Sequence, residues 1–474
     1  MENKKLYTIV IGIVLLLIIS NAITFIVAGR EDSTREFPDP PVADEEDNNE
    51  EYKLLFEIMD ILSEEYIEEI DRAKMIEGAI DGLLETLDDP QTNYLDSQEV
   101  EEFDVFLRGS FGGVGMQLIE SEGGATVVEV LPDTPAEESD IQPGDQIKYV
   151  GDEDVSEFDL DKIVELIRGE IGTQVILKVQ RPGAEDLIEL SMFRDEITSQ
   201  TVESKWLEPD LGYIEISQFD GNTGSKFMDK LEVLEKEGME GLVLDLRGNP
   251  GGILGEALEV AEAIVPEGEI VSIVDREGEV EEVYHSSAQS RPYEIIVLID
   301  GASASGSEIL AGALQERADA QLVGNPTYGK ATVQEHVTFD DGSGMRYTVS
   351  RYVTPEGRDL HEEGITPDFE IDLPPYLQYY NYFVPGELQK GDYGETVELL
   401  QDMLVSLGYE IEVRGYFEQE TQAALQDFQK EKGLSPHGKF DDVTWLNLRQ
   451  ELDEISDEKD SQLQKAIELL KTGE

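Results

Sequence analysis

Residues 294–317 read EIIVLIDGASASGSEILAGALQER. Glu294 to Ile299 is a short apolar, β-branched run, the pattern of a strand buried on both faces. From Glu308 onward the apolar residues fall at helical spacing. Between the two lie Asp300 to Ser307, mostly small residues. A strand-to-helix turn built from small residues lets a hydroxyl stand exposed. The helix start adds free N–H groups and positive potential for a developing oxyanion. An ordinary serine-rich helix cap fits the same residues, since serine is a favoured N-cap. Outward from this stretch, LGYIEIS (211–217) and GLVLDLR (241–247) are further strand candidates. Helical patterns at roughly 224–236, 254–264 and 307–317 lie between or after the strands, which predicts an α/β core.

Two more motifs fall in this region. PTYGKATVQ (326–334) sets Lys330 at a turn among apolar residues. Burial there would disfavour the ammonium and leave an amine able to take a proton, whereas a solvated surface lysine is the plainer reading. DLRGNPGG (245–252) follows a strand, and its glycines can bring backbone N–H groups close to a bound carbonyl; it also fits a simple turn. The four histidines, His285, His336, His361 and His437, have no persuasive catalytic setting. A Ser–Lys route needs none.

Together, GASASGSEILAGALQ, NPTYGKATVQ and DLRGNPGG resemble the C-terminal processing peptidases, or tail-specific proteases. In that family the central serine of an S-A-S-A-S-E run is the nucleophile and a lysine 25 positions later is the base. The resemblance therefore implies Ser305 and Lys330, because Ser303 or Ser307 would miss that spacing. It makes Gln334 the residue that orients the lysine, and it maps the oxyanion hole to the amides of Gly306 and Gly251. Gly306 stands for the family's usual alanine and Ala331 for the glycine of its GKG; neither change removes a catalytic side chain. In a straight strand Lys330 and Gln334 would sit about 13 Å apart. A helical turn would bring them to about 6 Å. A non-extended backbone is therefore expected at 330–334.

Residues 108–195 alternate β-branched runs with Gly-rich turns around one helical pattern at Leu160 to Ile167. The order SFGGVGMQL, PAE, PGD resembles a PDZ domain of the same family. That likeness implies a loop of Gly112, Gly113, Val114 and Gly115 whose N–H groups take a peptide's terminal carboxylate, with the next strand pairing to the peptide. Arg168 becomes a regulatory candidate for coupling this domain to the catalytic centre; a PDZ-surface arginine is the blander reading. Residues 386–450 hold an internal repeat, RGYFEQETQAAL (414–425) and HGKFDDVTWLNL (437–448), and resemble a small all-α peptidoglycan-binding domain.

At the amino end, Lys4 and Lys5 precede an apolar run from Leu6 to Ala28 closed by Arg30. The run is long enough to cross a bilayer, and lysines on its amino side place the remainder outside the cytoplasm; cleavage after Ala28 is the alternative. The expected chain is thus a multidomain α+β protein. It comprises a transmembrane signal anchor (1–30), an acidic linker (31–50), a helical region (51–107), the β-rich PDZ domain (108–195), the α/β peptidase core (196–385), the peptidoglycan-binding-like domain (386–450) and a charged tail (451–474).

The formal net charge of −71 repels phosphate backbones, so nucleic acid is excluded as a partner. Acidic residues occur in every segment, as in a solvated coat, and no Ca²⁺-loop spacing appears. With no cysteine, thiol nucleophiles, thiolate metal sites and disulfides drop out together. No cofactor or metal is expected. The resulting expectation is a membrane-anchored, extracytoplasmic serine endopeptidase. Its partners are proteins or peptides with a free apolar C-terminus, the bilayer through residues 6–28, and peptidoglycan; the helices at 51–107 and the tail can support a homodimer. The rival readings are a catalytically silent PDZ scaffold at the cell wall and a peptidoglycan hydrolase, for which no paired acidic catalysts or metal set is evident.

Overall fold

The computed structural model describes residues 49–121, 123–184, 186–374, 377, 387–412 and 414–473. In it the run Glu294–Ile299 lies inside a six-stranded sheet. The order is Val202–Glu208, Leu211–Ile216, Gly241–Asp245, Glu294–Ile299, Gln321–Gly324, Phe369–Glu370. The first pair is antiparallel and every other pair is parallel. Side chains alternate between faces at a period of two. Ile295, Val297 and Ile299 pack with Leu242 and Leu244 under the helices Thr223–Glu237, Leu254–Ile264 and Gly306–Arg317. Ile296 and Leu298 join Tyr213, Val243 and Val323 on the opposite face. Cover on both sides explains why these strands are apolar runs rather than alternating ones.

The second face is covered by Ser461–Thr472. The expected charged tail is helical and packed. The helix Asp442–Lys459 runs on through residue 450, and the next helix lays Leu463, Ala466 and Leu469 against the central sheet. Three apolar residues at spacings of three give the charged tail its amphipathic face. Arg247 fixes the junction: its guanidinium pairs with Asp245, with Asp460 at 2.8 Å and with the Gln462 Oε1 at 2.9 Å.

A second, antiparallel sheet holds Asn93–Leu95, Gly344–Val353, Gly268–Val274 and Val280–Ser286, with Thr332–Thr338 also paired to Gly344–Val353. Its first strand belongs to the N-terminal region, so that region is stitched into the core. Upstream, the helices Asn49–Glu65 and Arg72–Glu85 leave Leu54, Ile61 and Leu83 exposed, and Ile67 between them is 92% exposed.

The β-rich module has the sheet order Met116–Ser121, Gly124–Val130, Gln146–Val150, Gln174–Gln180, Ile188–Phe193, with Leu160–Ile167 as its longer helix. The C-terminal helical module repeats one polar device. Gln401 accepts from the Gly415 N–H and donates to Thr421; Gln429 accepts from the Gly438 N–H and donates to Thr444. The sequence repeat thus encodes two copies of one buried turn clamp. Among the described residues no helix is long and apolar enough to cross a membrane; the expected anchor at 6–28 lies outside them.

Candidate active site

Ser305 sits at the N-cap of Gly306–Arg317 with φ 60° and ψ −113°. A β-carbon makes this conformation strained, and such strain persists only where neighbours over-determine it. The neighbours are identifiable. Glu308 Oε2 accepts the Ser305 N–H at 2.8 Å. Ala304 N–H donates to Asn249 O at 3.0 Å. The Ser303 hydroxyl donates to Leu246 O at 2.8 Å and the Ser307 hydroxyl to Asn249 O at 2.9 Å. Of the three serines, then, two hold the 246–249 loop in place. Ser305 Oγ alone is buried without a hydrogen-bond partner. An unengaged hydroxyl in a fully buried, strained residue is the atom that the S-A-S-G-S-E spacing singles out.

Lys330 is brought to the same place by two shared contacts. Glu308 Oε2 accepts the Lys330 N–H at 2.8 Å, on the oxygen that already takes the Ser305 N–H. The two backbone nitrogens can be no further apart than these two bonds laid end to end. The Tyr352 hydroxyl lies 2.6 Å from Lys330 O and 3.1 Å from Ser305 O. Glu308 Oε1 also accepts from Thr327 Oγ1 and Gly329 N–H. Burial raises the Glu308 carboxyl above its ordinary value against the pull of these donors. Glu308 and Tyr352 were not assigned roles from the sequence. A Ser-x-x-Glu pattern opening a helix was the available signal for Glu308; nothing local marked Tyr352, which arrives from another sheet.

Lys330 is 2% exposed. Burial holds its amine well below the usual lysine range, and the Arg346 guanidinium pushes the same way; Asp89 and Glu308 oppose them. Arg346 is itself buried, and burial brings it down to about 10.

Gln334 is also fully buried, but the expected helical turn is absent. The strand Thr332–Thr338 begins two residues after Lys330, with a bulge between Val333 and Gln334. The β-ladder with Gly344–Val353 competes with a turn and wins, because it satisfies the backbone groups that a turn would leave to side chains. Gln334 Nε2 donates to Thr332 Oγ1 at 2.9 Å and to Thr348 Oγ1 at 3.2 Å. Its Oε1 is buried and has no partner.

The loop 245–252 backs onto Ser305. Asn249 Nδ2 donates to Ile216 O, and Asn249 Oδ1 accepts the Gly251 N–H at 2.8 Å. The Gly251 amide, expected to face an oxyanion, is therefore engaged in this conformation. Among the described residues the Gly306 and Gly252 N–H groups make no hydrogen bond. Gly251 has φ 97°, and a Cβ there would meet the Ser305 Cβ at 2.7 Å. Gly251→Ala should therefore lose both activity and about 2 kcal/mol or more of stability. Thermal melts beside rate measurements check this, and a fully active, equally stable variant would contradict it.

In the β-rich module, Gly112, Val114 and Gly115 use their carbonyls to accept from Gly169, Ala136 and Leu131. The Val114 and Gly115 N–H groups make no hydrogen bond among the described residues, and Gly113 lies opposite Asp195 in a two-stranded ladder. The following strand Met116–Ser121 is at the sheet edge. Arg168 caps the helix Leu160–Ile167 and stacks over Phe111 at 4.2 Å; no described hydrogen bond or ion pair links it to Ser305 or Lys330. No described hydrogen bond joins a histidine to Ser305 either; His336 packs edge-on to Phe103 and His437 lies 3.1 Å from Asp441.

Against known proteins, the profile of peptidase family S41 matches residues 210–371. A PDZ domain matches 126–181, a putative peptidoglycan binding domain 393–448, and the N-terminal domain of the activating protease CtpB 17–99. The carboxy-terminal processing protease CtpA of Bacillus subtilis (strain 168) is 34% identical over 86% of this chain and 88% of its own length. CtpB of the same organism is 36% identical over 87% of each chain. Among solved structures, the photosystem II D1 C-terminal processing protease aligns at 31% identity over 67% of this chain and 86% of that one, with a TM-score of 0.41. A strand-to-helix serine turn, a PDZ-type module and near full-length similarity to two such enzymes lead to one conclusion: the chain belongs to the carboxy-terminal processing proteases of family S41, which are serine-type peptidases.

Proposed function

We propose that this protein cuts substrates recognised by their C-terminal tail, with Ser305 as nucleophile and Lys330 as general base. The observation that carries the reading is a fully buried serine hydroxyl without a partner, tied through Glu308 and Tyr352 to a fully buried lysine. Lys330 Nζ takes the Ser305 Oγ proton as Oγ bonds to the scissile carbonyl carbon. It then gives that proton to the departing amine as the C–N bond breaks, leaving an acyl-enzyme. Water attacks the acyl carbon next as its proton passes to Lys330, and Lys330 returns that proton to Ser305 Oγ as the acyl C–O bond breaks, freeing the acid product and the serine. The Gly306 amide, with a glycine amide of 251–252, would receive the oxyanion. For Gly251 this requires release from Asn249.

The free Val114 and Gly115 amides beside an edge strand support capture of an apolar peptide C-terminus by β-augmentation. Ser305 has no exposed surface, so substrate entry requires rearrangement. Docking on the PDZ domain, relayed through Arg168, is the proposed trigger. The exposed apolar residues at 54–83 support pairing with a second copy. Residues 6–28 would anchor the chain with its protease outside the cytoplasm, and the module at 393–448 would hold it to peptidoglycan.

The pH–rate profile tests the base. A lysine lowered by burial is a cation at low pH and neutral above its own pKa, so kcat should rise with pH through that value. The slope below it should be about one decade per pH unit. A profile flat from pH 5 to 9 would remove Lys330 from the mechanism.

A further inference from the structure

We propose that Asp460 and Gln462, at the start of the C-terminal helix, are positioning residues for the reaction: through Arg247 and Asn325 they hold together the two loops that carry Ser305 and Lys330. The proposal rests on reading Ser305 and Lys330 as the catalytic pair. In the sequence both residues belong to the charged tail.

The serine turn leans on the loop that holds Arg247. Leu246 O accepts the Ser303 hydroxyl at 2.8 Å, and Asn249 O accepts the Ala304 N–H at 3.0 Å and the Ser307 hydroxyl at 2.9 Å. The Gly248 N–H donates to Asp300 Oδ1 at 2.9 Å. The turn around Ser305 is thus pinned on both sides to residues 246–249. Arg247 stands within that stretch, and its guanidinium anchors it. Nε and Nη2 donate to the Asp245 carboxylate, two residues away in the chain. Nη1 reaches the C-terminal helix instead, with Asp460 Oδ2 at 2.8 Å and Gln462 Oε1 at 2.9 Å.

The lysine loop meets the same glutamine. Gln462 Nε2 donates to Ile371 O at 2.7 Å and to Asn325 Oδ1 at 3.2 Å. Asn325 opens the stretch that ends at Lys330, and its Nδ2 donates to Asp372 Oδ1 at 2.9 Å, which turns its carbonyl oxygen to Gln462. Within that stretch the Tyr328 N–H donates to Ser303 O at 3.0 Å. Gln462 is fully buried, and its amide can face only one way. Reversed, it would set donors against a guanidinium and an oxygen against two oxygens. One side chain therefore spans from the serine-holding loop to the lysine-bearing one. A displacement of about 1 Å at a reacting group can cost about 100-fold in rate, so a bridge this far from the scissile bond still bears on kcat.

Asp460 divides its oxygens. Oδ1 caps the helix, accepting the Gln462 N–H at 3.0 Å and the Leu463 N–H at 2.9 Å, while Oδ2 faces Arg247. Asparagine is an equally good N-cap, so Asp460→Asn keeps the cap and loses the ion pair.

The experiment uses the full chain and an unfolded protein substrate, below the melting midpoint of each variant. The variants are Asp460→Asn, Gln462→Met, Asn325→Ala, the Gln462→Met/Asn325→Ala pair, Leu469→Ala and a Ser305→Ala control. Asp460→Asn and Gln462→Met should each lower kcat about 10- to 100-fold with KM within about two-fold. The pair should be no slower than its slower single, because both changes break one bridge. Leu469→Ala, near the other end of the helix, should lower the melting temperature yet keep kcat within about two-fold of wild type. If Asp460→Asn does not fold, Gln462→Met against Leu469→Ala decides the matter. Wild-type kcat in Asp460→Asn and Gln462→Met, beside an inactive Ser305→Ala, would overturn this role and leave the Ser–Lys reading standing. Losses that add in the pair would overturn the bridge. So would a kcat loss in Leu469→Ala as large as in Gln462→Met, as a general effect of loosening the helix. An active Ser305→Ala would instead bring down the Ser–Lys reading itself.

Discussion

Ser305→Ala should slow cleavage of an unfolded protein by at least about 10⁴-fold while leaving affinity for an apolar C-terminal peptide unchanged. The change deletes one oxygen that has no hydrogen-bond partner, so no bond is broken and the melting temperature should hold or rise. Lys330→Met should lose activity to a similar extent. Its effect on stability should have the opposite sign from that of most core substitutions. A buried amine beside the Arg346 guanidinium is costly in its charged form, and an uncharged chain of similar length removes that cost. The benefit should be largest at low pH, where the unfolded chain's lysine binds a proton that the folded chain resists, and should fade as pH approaches the ordinary lysine value. Because nucleophile and base act as a unit, the double variant should be no slower than either single. A Ser305→Ala protein cutting at more than a hundredth of the wild-type rate would refute the assignment.

Leu463→Ala and Leu469→Ala should each destabilise the protease core by about 3 kcal/mol, and removing residues 461–472 should prevent its folding. Leu463 and Leu469 are among the residues that bury Tyr213, Val243, Ile296, Leu298 and Val323 on the second face of the central sheet. Deletion would expose that face and also take Gln462 from Arg247, leaving a buried guanidinium short of a partner. Chemical denaturation of the point variants, and solubility of the truncated chain, give the measurements. A truncated protein with the wild-type midpoint would show that this helix is an appendage rather than a layer of the core.

The elements legible in the sequence were those whose signal is local. Buried parallel strands such as Gly241–Asp245 read as apolar runs, and helices such as Leu160–Ile167 carried their own periodicity. Ser305 and Lys330 are candidates from spacing within a family pattern, and in the structure the Ser303 and Ser307 hydroxyls are both engaged by backbone carbonyls. What escaped notice depends on partners distant in sequence. The helix 461–472 declares its role only beside a sheet formed some two hundred residues earlier. The bend expected between Lys330 and Gln334 came from treating the pair alone, without the strand Gly344–Val353 that holds Gln334 in a ladder. The DLRGNPGG motif leaves the Gly251 amide free for a carbonyl only on paper, because its acceptor in the structure, Asn249 Oδ1, lies inside the same motif.

The position of Ser461–Thr472 also sets an order of events during biosynthesis. Every strand this helix covers is made before it, so the growing chain holds a half-sealed sheet until the ribosome has delivered residues beyond 469. Arg247, one turn of chain from Asn249, waits equally long for Asp460 and Gln462. The face of the central sheet opposite the Gly306–Arg317 helix is thus the last part of the core to be sealed.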